Sequence, residues 1–139
     1  MTADDALRDA YLQTTYRVVG ASEAIDIRIG QRSSMLDRLL LDNGVQDWAF
    51  VTASNPRSRR LPDHENAKRN AEMKHALQQD GWRLLDGIGL PCESDWQPEN
   101  SVLILGIDRD AAMKVALRWE QNAIVCGTIG RPAELAWAI

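Results

Sequence analysis

The sequence predicts a single α/β domain of the α+β kind, built around one sheet. Its 139 residues, of which 45% are hydrophobic, suffice for one core and are too few to divide comfortably into two domains. Apolar runs are short and 26% of residues are charged, which excludes a membrane-spanning helix and argues against wholesale disorder. From Trp48 onward the predicted elements follow the order strand, helix, strand, strand, helix, strand.

Four elements are predicted before Trp48. Residues 4–13 suit a short helix through Leu7 and Tyr11, and residues 15–19 and 25–29 suit two strands joined by a turn. Ser33 is placed to cap a second helix, whose apolar stripe consists of Met35, Leu36, Leu39 and Leu40. Gly44 stands where a left-handed residue ends such a helix.

The next strand is predicted at Trp48 to Ala53, where Asn55-Pro56 ends it. A long helix should begin near Pro62, with acidic residues in its first turn, and end at Gly81. Trp82 to Asp86 is then a strand, followed by a loop over residues 87–100.

Ser101 to Ile107 is almost wholly apolar, as expected of a strand inside a sheet. Asp108 caps a helix with Ala112, Val115, Ala116 and Trp119 on one face, residues 123–128 form the closing strand, and Pro132 opens a short helical turn. Residues 48–128 thus match a ferredoxin-like split βαβ layer with both helices on one face, and the N-terminal hairpin and helix are an elaboration. The Trp48 and Ser101 strands should be adjacent and central.

Strand directions in this layout bring polar residues to one end of the sheet. The first two strands of the unit run one way and the last two run the other way. The residues expected there are Asn55, Arg57, Ser58, Glu65, Asn66, Trp96, Glu99, Ser101, Gln121 and Asn122.

Helical spacing places two asparagines on a buried stripe. Asn66, Asn70, Met73 and Leu77 are separated by four, three and four residues, so they share one face of the long helix. Inward amides need hydrogen-bond partners, because each unpaired buried group costs about 1–3 kcal/mol. The two amides either tie the helix to the Asn55-Pro56 turn and to Gln121, or they contact a ligand.

Charged residues offer two further sites. Arg57, Arg59 and Arg60 precede a helix N-terminus, which suits an anion; the alternative is a solvated loop paired with nearby acids. Glu65 and Glu99 could form a carboxylate pair for acid/base chemistry.

His64 and His75 lie too far apart to share a metal ion and are expected at the surface. Cys92 and Cys126 are expected to be free thiols. No metal and no cofactor are predicted.

Charge and the N-terminal residues indicate the setting. A net charge of -4 gives no general attraction to nucleic acid or to anionic lipid, so nucleic acid and membrane are unlikely partners. Asp4, Asp5 and Arg8 stand where a signal peptide needs an apolar run, which favours the cytoplasm. The oligomeric state cannot be read from the sequence.

Three segments are similar to a known family. They are residues 49–58 (AFVTASNPRS), Glu65-Asn66 with Asn70, and Gln121-Asn122-Ala123-Ile124-Val125 with Gly127. Together they resemble the bacterial domain of unknown function 3293, over about residues 16–135. The family pattern also includes an acidic residue and a serine like Glu99 and Ser101. The resemblance implies a bacterial cytosolic domain and implies no substrate, cofactor or mechanism.

Three functions fit these residues. The first is a binding or regulatory module for a small polar or anionic ligand, held by Asn55, Arg57, Ser58, Asn66, Asn70, Ser101 and Gln121. The second is a small hydrolase or transferase that uses Glu65 or Glu99 as acid/base. The third is a protein-interaction domain with an exposed patch at the sheet or at Trp96 and Trp137.

Overall fold

The structure, a computed structural model, describes residues 3–92 and 97–138. This part of the chain forms four helices and one seven-stranded antiparallel sheet. The helices are α1 (Ala3–Gln13), α2 (Ser34–Asp42), α3 (Asp63–Gln79) and α4 (Arg109–Arg118). The strands are β1 (Thr15–Val18), β2 (Ile25–Ile27), β3 (Asp47–Val51), β4 (Arg83–Leu90), β5 (Glu99–Leu105), β6 (Ala123–Thr128) and β7 (Glu134–Trp137). A short 3-10 turn at Pro56–Ser58 follows β3. Within the described part, no helix has both the length and the apolar character needed to cross a bilayer.

Local side-chain signals set the helix ends. The Ser33 hydroxyl accepts a hydrogen bond from the Leu36 amide at the start of α2, and the Asp108 carboxylate accepts one from the Ala111 amide at the start of α4. Gly44 has a φ of 68° just beyond α2, a left-handed conformation that glycine adopts without steric cost. These predicted caps and ends are confirmed.

The strand order is β2-β1-β4-β5-β3-β6-β7. β3 and β5 are antiparallel neighbours inside the sheet, with Trp48 opposite Leu105 and Val51 opposite Val102. β5 is the middle strand, and the residues from Ser101 to its end are all buried. The prediction that the Trp48 and Ser101 strands pair and lie centrally is confirmed.

The sheet is larger than predicted because β4 runs on to Leu90, through residues assigned to a loop. Gly87 and Gly89 fall in the predicted loop over residues 87–100, yet they lie in the strand and pair with Val18 and Tyr16 of β1. A Cβ on Gly87 would lie only 2.6 Å from the Phe50 ring, so glycine is needed here for packing. The extension joins the N-terminal hairpin, predicted as an elaboration of the unit, to the same sheet.

The C-terminal segment is a strand, and the helical turn predicted from Pro132 is wrong. β7 pairs with β6, with Ala123 opposite Trp137 and Cys126 opposite Glu134. Ala136 of this strand is fully buried. A proline can precede an edge strand as readily as a helix, and pairing with β6 decides between the two.

Alternate residues of the central strands pack on opposite faces of the sheet. One face holds Ala49, Val51, Val102 and Ile104, and packs against Met73 and Leu77 of α3 and Ala112 and Ala116 of α4. The other face holds Trp48, Phe50, Leu103 and Leu105, and packs against Leu36 and Leu40 of α2 and the side chains of the N-terminal hairpin.

The two edges of the sheet meet. Ile29, just beyond β2, forms a parallel bridge with Ala133, just before β7, and the Gly30 amide donates to the Ala133 carbonyl over 2.8 Å. Because β2 and β7 are the edge strands, this bridge curls the sheet back on itself.

Helix α1 is fixed at its C-terminal end by side chains of the hairpin. The Tyr16 hydroxyl donates to the Tyr11 carbonyl over 2.9 Å, and the Arg28 guanidinium donates to the Gln13 carbonyl over 3.1 Å. The Tyr11 ring meets the Trp137 ring edge to face, with centroids 5.8 Å apart. These contacts seat Tyr11 against the C-terminal strand.

Candidate functional site

Polar side chains gather where β3 ends and β5 and β6 begin, a region called the sheet end below. The N-terminal turn of α3 and the turn between α4 and β6 border it, as the strand directions require. The contacts there form one connected set of hydrogen bonds.

Asn55 and Asn66 lock the chain after β3 to helix α3. The Asn66 Oδ1 accepts from the Asn55 backbone amide over 2.9 Å, and the Asn66 Nδ2 donates to the Asn55 Oδ1 over 2.9 Å. The Asn55 Oδ1 also accepts from the Leu61 amide, while the Asn66 Nδ2 reaches the Leu61 carbonyl. The segment from Asn55 to Leu61 is therefore held as a closed loop against α3.

Asn70, one helical turn further on, holds the residues that follow β3. Its Oδ1 accepts from the Ala53 amide over 2.8 Å, and its Nδ2 donates to the Ser54 hydroxyl over 2.8 Å and to the Asn66 carbonyl over 3.0 Å. The predicted inward direction of Asn66 and Asn70 is thus seen as hydrogen bonds to the chain after β3.

The loop that these amides hold has an uncommon backbone. Asn55, Arg57 and Ser58 have φ values of 49°, 50° and 61°, and Glu120, across from them, has 58°. Left-handed conformations of residues other than glycine cost of order 1–3 kcal/mol and persist where the surroundings over-determine them. Asparagine tolerates this region well, whereas arginine does so poorly.

Arg57 and Ser58 bind the turn between α4 and β6. The Arg57 amide donates to the Glu120 carbonyl over 2.6 Å, and its guanidinium donates to the Gln121 carbonyl over 3.0 Å. The Asn122 Nδ2 donates to the Ser58 hydroxyl over 2.8 Å. Two strained turns are therefore joined to each other, with the Arg57 and Ser58 side chains exposed between them.

Gln121 and Arg69 secure the same junction from inside. The Gln121 Nε2, on a side chain only 6% exposed, donates to the carbonyls of Ser54 and Trp119. Arg69 of α3 donates to the Ala53 carbonyl over 2.7 Å and to the Trp119 carbonyl over 2.8 Å. Both side chains satisfy carbonyls at the C-terminal ends of β3 and α4.

Glu99 opens β5 at this end and is partly buried. Its Oε2 accepts from the Asn55 Nδ2 over 2.7 Å. Burial raises the pKa of the Glu99 carboxyl, and the Asn55 hydrogen bond offsets part of that rise. No lysine or arginine of the described residues forms an ion pair with Glu99.

Tyr11 is a neighbour of Glu99 that the sequence did not bring into the site. Burial, with a smaller contribution from the Glu99 charge, raises the pKa of its phenol to about 12, although the Ala123 amide and the Arg57 charge act in the opposite direction. The phenol of α1 thus lies within electrostatic reach of both the carboxyl and the guanidinium. Only the position of α1, which depends on Arg28 and Tyr16, could have indicated this.

The structure brings together most of the predicted site residues. Asn55, Arg57, Ser58, Asn66, Asn70, Glu99, Gln121 and Asn122 belong to the connected set, and their role toward a ligand stays a prediction. Ser101 is buried and donates to the carbonyl of Glu99 over 3.0 Å, so its hydroxyl has a partner within β5. Glu65 is exposed on α3, whereas Glu99 is partly buried, and the predicted Glu65–Glu99 carboxylate pair stays a prediction.

Other predicted residues lie elsewhere. Trp96 falls outside the described residues, and Trp137 is partly buried against Tyr11, so the patch predicted at these two residues stays a prediction. His64 and His75 are exposed, as predicted; Cys92 is exposed and Cys126 is buried. Among the residues that the structure describes, no three His, Cys, Asp or Glu side chains are grouped to hold a metal ion.

The surface beside the amides carries an open depression of about 560 Å³. It is lined by Arg60, Leu61, Pro62, Asp63 and Gln97. Leu61 belongs to the loop that Asn55 and Asn66 hold, so the amides also shape this surface.

Comparison with known proteins gives a family and no characterised relative. No curated protein and no solved structure matches the chain. The model of the family described as protein of unknown function (DUF3293) matches residues 51–124, from the end of β3 to the start of β6. This range contains the side-chain amides of the site, which are Asn55, Asn66, Asn70, Gln121 and Asn122. Because it is more than half of the chain, the chain belongs to the DUF3293 family.

Proposed function

We propose that this protein is a binding module whose sheet end takes up a small anionic ligand through Arg57. The supporting observation is the strained loop: Asn55, Arg57 and Ser58 are left-handed, the partly buried Asn66 amide holds the loop at Asn55 and Leu61, and the loop displays the exposed Arg57 guanidinium. Strain of this kind is concentrated at ligand sites, where it fixes a side chain in its working position. The proposal assigns Arg57 and Ser58 to the ligand.

The asparagines form the scaffold in this proposal. Both donor hydrogens of the Asn66 amide are engaged, by Asn55 and Leu61, and both of Asn70 are engaged, by Ser54 and Asn66. A ligand would have to break these bonds to contact the amides. The sequence prediction that Asn66 and Asn70 contact the ligand is therefore revised to a positioning role.

Arg57 keeps donors for a ligand. One terminal nitrogen donates to the Gln121 carbonyl and, over 3.4 Å, to the Asn122 Oδ1. Its other N–H groups have no hydrogen-bond partner among the described residues, and a guanidinium with a free edge can bind a carboxylate or phosphate through two parallel bonds.

A thermal-shift screen against nucleotides, sugar phosphates and organic acids tests the proposal, since a ligand of the native state raises apparent stability by mass action. A ligand that stabilises the wild type should lose its effect on Arg57→Gln and keep it on Arg38→Gln, an exposed arginine of α2 on the other face of the sheet. A shift that survives Arg57→Gln, or a screen without any stabilising anion, would refute Arg57 as the anchor.

Enzymatic activity is the second candidate, and it rests on Glu99. A carboxyl whose pKa is raised by burial suits general acid/base work. A hydrolase or transferase that uses Glu99 should lose activity in Glu99→Gln and keep it in Glu65→Gln. Equal activity of the two variants would exclude Glu99 as the acid/base.

Two expectations about fold and setting are carried forward as proposals. The order β4-β5-β3-β6, with α3 and α4 on one face, supports a ferredoxin-like unit inside the larger sheet. An experimental structure would test this topology. We also expect a bacterial, cytosolic protein with a single domain. Cell fractionation would test the location, and one cooperative unfolding transition would support the single domain.

A further inference from the structure

Two residues of β7 turn their backbone N–H and C=O groups away from β6. The Ala138 amide donates to the Asn122 carbonyl over 2.8 Å, which sets the alternation of hydrogen bonds in this antiparallel pair. The backbone groups of Leu135 and Trp137 therefore face the outer edge of the sheet. No backbone hydrogen bond to another described residue satisfies them there.

This edge is open because the neighbouring chain leaves it. Ala133 faces the same way and is paired: its amide donates to the Gln31 carbonyl over 3.1 Å, and its carbonyl accepts from the Gly30 amide over 2.8 Å. The chain beyond Gln31 does not continue this parallel ladder, because Ser33 caps α2 and the backbone turns into the helix. The rest of the β7 edge is left without a neighbouring strand.

An open groove of about 440 Å³ adjoins the free edge. Its apolar lining includes Leu12 of α1, Ile29, and Leu135 and Trp137 of β7. Free backbone donors and acceptors beside apolar walls suit an extended peptide, whose main chain adds to the edge while its side chains enter the groove. The groove therefore fits a peptide strand better than it fits a compact ligand.

The charge of the groove comes from Arg8 of α1. Its guanidinium is exposed and forms no ion pair with a carboxylate of the described residues. Glu134 also lines the groove, but it pairs with Arg109 over 3.0 Å, so its charge is already balanced. The unbalanced charge is positive, and an acidic occupant complements it.

We propose that the outer edge of β7 binds an acidic peptide segment in extended conformation. The segment adds to the sheet as a further strand between β7 and α1, and it places a carboxylate side chain at Arg8. Its backbone pairs with Leu135 and Trp137, and its apolar side chains contact Leu12 and Ile29. This site is separate from the one proposed at Arg57 and depends on none of the same residues.

Selection of binders from a random-peptide display library tests the chemistry of the occupant. Enriched sequences should carry an acidic residue among alternating apolar residues. Fluorescence anisotropy with the synthetic peptides should show binding that is up to about fivefold weaker in Arg8→Gln, the size expected for an exposed ion pair. Arg118→Gln, which removes an exposed arginine of α4 on the opposite face of the sheet, is the matched control and should bind like the wild type.

Backbone pairing has a readout of its own. N-methylation of every second peptide residue removes N–H groups from one side of the peptide strand, so one of the two alternate series should lose binding and the other should keep it. In the protein, Leu135→Pro removes an N–H that faces the edge and none that bonds to β6, so this variant should stay folded and lose the peptide. The methylated peptides test the pairing even if the variant does not fold.

Three results would overturn the proposal: no enriched peptide, equal binding by both methylated series, or equal binding of acidic peptides by Arg8→Gln and the wild type. Sedimentation equilibrium tests a competing occupant, which is a second copy of this chain paired through β7. A dimer that Leu135→Pro dissociates would assign the edge to that copy and would also overturn the proposal.

Discussion

Both ends of the sheet contain residues with left-handed backbone, but the residue types at the two ends differ. At the end away from the site, the left-handed positions after α2, α3 and β5 are all glycine: Gly44, Gly81 and Gly106. At the sheet end, Asn55, Arg57, Ser58 and Glu120 occupy such positions with full side chains. Glycine there would remove the strain together with the side chains. The contrast indicates that the sheet end retains these four side chains although they strain the backbone.

The largest effect is expected where the scaffold itself is removed. Asn66→Ala leaves the Asn55 amide and the Leu61 carbonyl without their side-chain partner, and each group left unpaired costs about 1–3 kcal/mol. We expect the free energy of unfolding, measured by urea denaturation, to fall by at least that much. Lys68→Ala, an exposed residue of the same helix, is the control. If the two variants were equally stable, the amides would not hold the loop.

A smaller loss is expected at the glycine end. Gly81 has a φ of 90° and open space where a Cβ would lie, so Gly81→Ala should lower stability through backbone conformation alone, by about 1–2 kcal/mol. Gly81→Asn should lose less, because asparagine tolerates left-handed backbone. An equal loss for both would point to a cause other than the left-handed conformation.

Replacement of Glu99 should change how stability depends on pH. Because burial raises the pKa of Glu99, the folded state holds this proton more tightly than the unfolded state. The contribution of Glu99 to stability is therefore fully present below its ordinary pKa and is lost as the pH rises through the raised one. The unfolding free energy of the wild type should fall over that range relative to that of Glu99→Gln. Parallel curves for the two proteins would contradict the raised pKa.

The smallest effect is expected for Ser58→Gly. Removing the strain of a left-handed serine should raise the free energy of unfolding by about 1 kcal/mol. Losing the exposed hydrogen bond from Asn122 should lower it by about 0.5–1.5 kcal/mol. The net change in stability should therefore be under about 1 kcal/mol. Asn122→Ala measures the hydrogen-bond part separately. A loss above 2 kcal/mol would mean that Ser58 supports the loop more than its exposure suggests.

Elements with local signals could be predicted from the sequence. Ser33 and Asp108 cap helices with their own side chains, and the spacing of Asn66 and Asn70 from Met73 is enough to turn them inward. Strand directions then brought most of the site residues together, because one topological rule decides which strand ends meet.

Features that depend on distant residues could not be predicted in this way. The sequence around Gly87 and Gly89 predicts a loop, but pairing with β1 makes it a strand. The sequence from Pro132 predicts a helical turn, but pairing with β6 makes it the strand β7. Tyr11 reaches the site only because α1 is fixed by Arg28 and Tyr16 of the hairpin. In each case the deciding interaction lies in another element of the chain.

The bridge between Ile29 and Ala133 bears on how the chain folds. It joins residues that are far apart in the sequence, so it closes a long loop and comes at an entropic cost early in folding. We infer that the central strands assemble first and that the two edges meet late. Until they meet, β2 and β7 present unpaired strand edges that other chains can pair with. Crowded or rapid synthesis would therefore favour aggregation through these two edges.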